Sequence, residues 1–190
     1  MKGAQNMERN RVCPVERAGS LDSRFRRYLQ NPEAILAPYV RPGMTALDIG
    51  CGPGFFTQAL AMLVGDQGTV LAADLQEGML EKARKKIIAA GYDARVRFVR
   101  CDTADIRIPG RVDFVLAFYM VHEVPDRPRF FSQIHDVLAD RGEFLLVEPA
   151  LFHVSRSEFE SVLLTAGRCG FGASPGPKVR FSRSALLRHA

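Results

Sequence analysis

Two rhythms of apolar and polar positions alternate along this chain. Short apolar runs at 45–49, 69–73, 96–100, 112–118, 143–147 and 179–187 read as strands. Between them, apolar residues recur at helical spacing. Phe56, Leu60, Leu63 and Val64 mark a helix over 54–64, and Leu80, Ala83 and Ile87 mark another over 77–90. Phe131, Ile134 and Leu138 stripe a third helix over 128–139. Asn31-Pro32-Glu33 joins an N-cap, a first-turn proline and a first-turn acid, so a short helix starts there. Ser155 and Glu158 form a capping box that opens a helix reaching about Gly167. Asp22 is placed to cap a short helix ending near Gln30.

The alternation predicts an α/β fold: a parallel sheet with helices on both faces. The run over 112–118 is nearly continuously apolar, as a strand covered on both faces must be. The final strand follows a loop rich in Gly and Pro (Gly170, Gly172, Pro175, Gly176, Pro177) rather than a crossover helix, which predicts an antiparallel strand. Residues 1–30 read as an arm with a cap helix, and 31–190 as one domain.

Composition narrows the class. The 190 residues contain no apolar stretch long enough to span a membrane, and the start of the chain is charged where a secretory leader is apolar. Cys13, Cys51, Cys101 and Cys169 are widely spaced without a C-x-x-C pair. That pattern predicts reduced thiols in the cytoplasm and no metal site. The net charge of +5 sits at the ends: residues 1–41 and 151–190 each carry +4, and the middle carries −3. Basic ends attract anions, but Arg24, Phe25, Arg27 and Tyr28 are the one place where cations and aromatics interleave.

The candidate chemistry begins at Leu47-Asp48-Ile49-Gly50-Cys51-Gly52-Pro53-Gly54-Phe55-Phe56-Thr57, where an apolar strand runs into three glycines at alternate positions and then a helix. Glycine admits positive φ and lets a ligand lie against the backbone. Dinucleotide folds space these glycines G-x-G-x-x-G, which is not the spacing here. The string resembles the first motif of class I S-adenosylmethionine-dependent methyltransferases. That resemblance implies a Rossmann-like, seven-stranded, mostly parallel sheet ordered 3-2-1-4-5-7-6 with strand seven antiparallel. It also implies S-adenosyl-L-methionine as cofactor and S-adenosyl-L-homocysteine as product.

Ligands in such sheets lie at the carboxyl ends of the strands, where strand order reverses. At the first end, Gly50, Cys51, Gly52, Gly54 and Phe55 are expected to meet the methionine part of the cofactor through backbone amides. Asp48 lies beneath them, ordering the turn or reaching the amino group. At the second, Asp74 with Leu75 is placed for the ribose, because a carboxylate can accept from both hydroxyls. At the third, the resemblance carries adenine recognition to Asp102 and Thr103, which follow Cys101. At the fourth, Phe118 is a cofactor contact, and Tyr119, His122 and Glu123 are the catalytic candidates. His122 is the first choice as base, with Glu123 as its orienter or alternative and Tyr119 lining the acceptor pocket. His135, His153 and His189 are isolated along the chain and read as structural or surface residues.

The segment Met120-Val121-His122-Glu123-Val124-Pro125-Asp126 has neither an Asn/Asp-Pro-Pro-aromatic motif for amide nitrogens nor paired acids for magnesium. It resembles the small-molecule branch that includes quinone and arsenite methyltransferases. One thiol in the arm, Cys13, is a poor basis for a metalloid acceptor, which calls for several soft ligands. The expected reaction is methyl transfer to a small molecule. The alternatives are an RNA or protein acceptor guided by the basic ends, or a module that binds the adenosyl ligand without turnover.

Overall fold

A computed structural model describes residues 30–150 and 154–190. Asn31 caps α1 (Pro32–Leu36) by accepting the amide of Ala34. Strands and helices then alternate: β1 (Thr45–Ile49), α2 (Phe55–Val64), β2 (Thr69–Asp74), α3 (Glu77–Ala89), β3 (Val96–Arg100) and β4 (Val112–Phe118). Next come α4 (Arg127–Val137), β5 (Leu138–Pro149), α5 (Arg156–Arg168), β6 (Phe171–Pro175) and β7 (Ser182–His189). The seven strands form one sheet in the order β3-β2-β1-β4-β5-β7-β6. The five strands β1–β5 pair in parallel, and β7 runs antiparallel to both β5 and β6. Among the described residues this is the mostly parallel sheet that the alternation and the motif resemblance imply.

Two apolar layers hold it. On one face, Leu36, Phe56, Leu60, Val64, Leu80 and Ile87 from α1–α3 pack on Ala46, Val70, Phe114 and Leu116. On the other, Phe130, Phe131 and Ile134 of α4 and Phe159, Val162 and Ala166 of α5 cover Leu47, Val115, Phe144 and Leu146. Central strands give side chains to both layers, so β4 is apolar nearly throughout. Burial at this scale is the main favourable term in the fold.

The structure departs from the sequence reading at the C-terminal end. Phe171–Pro175 is a strand although its sequence, Phe-Gly-Ala-Ser-Pro, reads as loop. It lies at the sheet edge, where a missing ladder donor is tolerated. The last strand is Ser182–His189, starting three residues and ending two residues later than periodicity places it. β5 starts at Leu138, well before 143, because α4 ends at Val137 and the chain enters the ladder at once. The cap helix, Cys13, Arg24, Phe25, Arg27, Tyr28 and His153 lie outside the described residues.

His135 and His189 are not isolated. Nε2 of His135 is 2.9 Å from Nδ1 of His189, and the other ring nitrogen of His189 is 3.2 Å from the carbonyl of Leu138. A carbonyl only accepts, so Nε2 of His189 carries a proton, and its Nδ1 shares one hydrogen bond with His135. The pair fastens α4 to the last strand. Among the described residues no helix is long and apolar enough to cross a membrane.

Candidate active site

The C-terminal tips of β1–β4 open into one cleft of ≈ 440 Å³. Its wall includes the glycine turn, Asp74, Leu75, Cys101, Asp102, Thr103, Phe118, Tyr119 and Glu123. The three turn glycines all have positive φ: +73° at Gly50, +53° at Gly52 and +82° at Gly54. Each is glycine for a different reason. A Cβ on Gly50 would lie 2.8 Å from Cγ of Met120, and one on Gly54 would meet Ala83 of α3 at 3.0–3.1 Å. A Cβ on Gly52 would meet no protein atom within 4 Å. Gly52 therefore marks bare backbone beside open cleft, where a ligand can approach closely.

The amides of this turn do not form the expected cradle. Those of Gly50 and Cys51 donate to the carbonyl of Ala73 at 2.8 and 3.0 Å, and that of Gly54 donates to Cys51 at 3.1 Å. The amide of Gly52 donates to Oδ2 of Asp74 at 2.9 Å. All four are used within the protein. What the turn offers a ligand is close approach and acceptors, which suits an ammonium group better than an anion.

Asp48 is buried, and its Oδ2 accepts the Thr57 hydroxyl at 2.6 Å. It ties β1 to the first turn of α2, across the glycine turn. Asp74 is 7 % exposed at the cleft wall. Its Oδ1 accepts the amide of Gln76 at 2.9 Å, and with Gly52 on Oδ2 the carboxylate is fixed from both sides. Burial raises its pKa above the ordinary 3.8, against the lowering effect of the amides of Gln76, Gly52 and Leu75. The carboxylate still keeps a lone pair for a ligand hydroxyl.

Asp102 lies at the cleft, but its carboxylate is partly occupied. Oδ1 accepts the amides of Ala104 and Asp105, both at 2.8 Å, and Oδ2 accepts Arg107 at 2.6 Å. The Ala104 amide first, then that of Asp105 and the Arg107 charge, hold its pKa below the ordinary value. The side chain builds a turn, and Oδ2, with one donor, keeps a second lone pair. Gln133 of α4, missed from sequence, clamps the same loop. It accepts the amide of Ile106 at 3.1 Å and donates to the carbonyl of Ala104 at 2.7 Å. Its polar place on a cleft-facing helix was the available signal.

Phe118 closes the cleft floor with Phe56, their rings 4.1 Å apart, and Phe55 stands edge-on to Phe56. Cys51 and Cys101 also line the cleft and are buried. Burial first, then nearby carboxylates, pushes the Cys51 thiol well up and Cys101 to about 12.

The catalytic candidates separate. Glu123 and Tyr119 line the cleft and His122 does not. The hydroxyl of Tyr119 accepts from Gln30 at 2.6 Å and lies 2.5 Å from Oγ of Ser182, so it is tied into the protein. His122 turns to Glu148, a fully buried carboxylate at the tip of β5, with Nδ1 2.5 Å from Oε2. Burial acts to lower the His122 pKa, but the Glu148 bond and the charges of Glu148 and Glu123 outweigh it, and the net shift is upward. Glu148 was missed from sequence, although an acid ending the apolar run 144–147 was visible there.

A strand–glycine-turn–helix unit meets a cleft at the reversal of strand order, the place where open α/β sheets bind ligands. The chain belongs to the methyltransferase-domain family, whose profile matches residues 46–142. It is 32% identical over 110 residues to a ubiquinone/menaquinone biosynthesis C-methyltransferase UbiE from Teredinibacter turnerae, covering 57% of this chain and 44% of that protein. It is 32% identical over 117 residues to a demethylmenaquinone methyltransferase from Symbiobacterium thermophilum, covering 61% and 47%. The chain thus spans less than half the length of these curated relatives. A SAM-dependent methyltransferase from Aquifex aeolicus has the same fold, with a TM-score of 0.83, 24% identity, and 93% and 98% of the two chains covered.

Proposed function

We propose that this protein transfers a methyl group from S-adenosyl-L-methionine to a small-molecule acceptor. The observation that carries the reading is the cleft itself. Bare backbone at Gly52, the fixed Asp74 carboxylate and the Phe56–Phe118 floor face one space at the strand tips. These residues fit the cofactor. Asp74 would accept from the ribose, Leu75 and Thr103 of the same cleft wall would flank the nucleoside, and the turn would admit the amino-acid end. The bound group would supply a methyl already activated on a sulfonium. The protein then has to hold the acceptor in line about 3–3.5 Å away and keep water out. The buried aromatic floor serves the second need. Kinship with quinone methyltransferases and the mixed apolar and polar cleft wall support a small acceptor. Free Cys51, Cys101 and Cys169 support a reducing compartment, the cytoplasm.

Calorimetry with S-adenosyl-L-homocysteine and with NAD tests the cofactor. Binding of the first and not the second is expected, and the reverse result ends the reading. Transfer of tritiated methyl into cell extract, with identification of the labelled product, then tests the acceptor class. Label entering only RNA or protein would refute a small molecule.

A further inference from the structure

The loop after β4 sends consecutive residues to two places. Tyr119, Met120, Glu123, Val124 and Pro125 line the cleft, and His122 between them does not. Both oxygens of the buried Glu148 grip His122 instead, Oε1 accepting its amide at 3.1 Å and Oε2 facing Nδ1 at 2.5 Å. Since a carboxylate accepts, Nδ1 carries the proton. The other ring nitrogen, Nε2, is 3.9 Å from Oε1 of Glu123. That is too long for a direct hydrogen bond and short enough for an ion pair. From α4, Arg127 donates to the carbonyls of Val121 and His122, both at 3.3 Å, which fixes the turn that bears both residues. From α5, the carboxyl of Glu158 senses the charges of Arg127 and His122. Among the described residues, Glu148, Glu123, Arg127 and Glu158 are charged groups around the imidazole.

We propose that His122 is a positioning residue, locked through Nδ1 to Glu148 and holding the Glu123 carboxylate at the cleft wall, where Glu123 takes the proton shed by the methyl acceptor. The proposal rests on the methyl-transfer reading. A proton leaves the acceptor's O–H or N–H for Oε1 of Glu123, which becomes a neutral carboxylic acid. The electron pair stays on the acceptor atom, the atom that gains the methyl. Water later takes the proton from Glu123. His122 acts as a clamp in its imidazolium form. Once it is neutral, Nδ1–H stays on Glu148 and Nε2 carries no proton, so the charge that holds Glu123 is gone.

The test is an NMR titration of the His122 ring in the full chain, assigned by the signal that His122→Gln lacks. Glu123→Gln is expected to lower the His122 midpoint, and an unmoved midpoint overturns the clamp. In tritiated-methyl transfer to cell extract, Glu123→Gln is expected to lose about 10²–10⁴-fold, the range for a general base. His122→Gln is expected to lose only about tenfold and to regain rate at higher concentrations of extract. A loss in His122→Gln equal to or greater than that in Glu123→Gln overturns the assignment. Calorimetry separates the two levels. Wild-type protein that fails to bind S-adenosyl-L-homocysteine ends the methyl-transfer reading. Wild-type protein that binds it with an unmoved His122 midpoint ends only this proposal.

Discussion

The amide of Gly52 donates to Oδ2 of Asp74 at 2.9 Å, so the glycine turn after β1 and the tip of β2 share one carboxylate. One side chain sets the turn's shape and also faces the cleft. Loss of Asp74 should therefore act on binding and on the loop together.

Asp74→Ala is expected to weaken S-adenosyl-L-homocysteine binding by about 1.5–3 kcal/mol, the range for hydrogen bonds to a charged group. The effect should depend on pH. Burial raises the Asp74 pKa above 3.8, so acidification protonates it before an ordinary carboxylate. Wild-type affinity should fall as pH drops through that raised value, and Asp74→Ala should not share this slope. The stability linkage has the opposite sign. A raised folded-state pKa favours folding below the unfolded value, and that advantage is lost as pH rises through the folded one. Calorimetry between pH 7.5 and 4.5 on both proteins checks this. Equal affinities in folded samples would remove Asp74 from the site.

Gly52 and Gly54 should fail in different ways. Gly54→Ala drives a methyl group against the backbone of Ala83 at φ +82°, so it should lower stability by about 2–4 kcal/mol through strain and overpacking. Gly52→Ala has strained φ but open space, so its cost should be about 1–2 kcal/mol. Its methyl enters the cleft, and cofactor affinity should fall at least tenfold. Denaturant melts paired with calorimetry give the comparison. Wild-type affinity in Gly52→Ala would mean that the ligand does not lie on that backbone.

These residues mark how far linear pattern carries the fold and the site. The turn, Asp74 and the parallel strands were legible because each rests on local chemistry: alternate glycines, an acid at a strand end, apolar runs. Phe171–Pro175 was not, because its pairing with β7 comes from its place at the sheet edge and not from its composition. Asp102 stands past the tip of β3, but no linear pattern tells that Ala104, Asp105 and Arg107 donate to its carboxylate. His122 was legible as a candidate and its direction was not. Glu148 is 26 positions away, and only the parallel pairing of β4 with β5 brings the two together.

Cys51 and Cys101 should be inert although they line the cleft. With a pKa of about 12, Cys101 holds about 10⁻⁴ of its thiol as thiolate at pH 8, against roughly a quarter for an unperturbed cysteine. Alkylation there should be slower by about 10³-fold, and the pKa of Cys51 is shifted in the same direction. Cys169, at the end of α5, is only partly buried and should label before either. Peptide mapping after a short iodoacetamide pulse, with and without guanidinium, resolves the sites. Rapid labelling of Cys101 in the folded protein would contradict the burial described for it.

Tyr119→Phe separates a structural hydroxyl from a catalytic one. Tyr119 holds φ +62°, uncommon for a residue with a side chain, while its amide donates to Val147 at 2.8 Å. The ring leans on Phe118 with centroids 4.5 Å apart. Its hydroxyl joins Gln30, ahead of α1, to Ser182 at the start of β7. Three distant stretches of chain meet at that one oxygen, and this is the compensation that holds a strained backbone in place. Removing the oxygen should cost about 1–2 kcal/mol of stability, because the buried Gln30 amide loses an acceptor. Methyl transfer per folded molecule should change by less than about threefold, since the ring, which forms the wall, remains. Denaturant melts and tritiated-methyl transfer on the same preparation read both quantities. A loss of transfer above about 10²-fold at unchanged stability would instead put the hydroxyl on the acceptor.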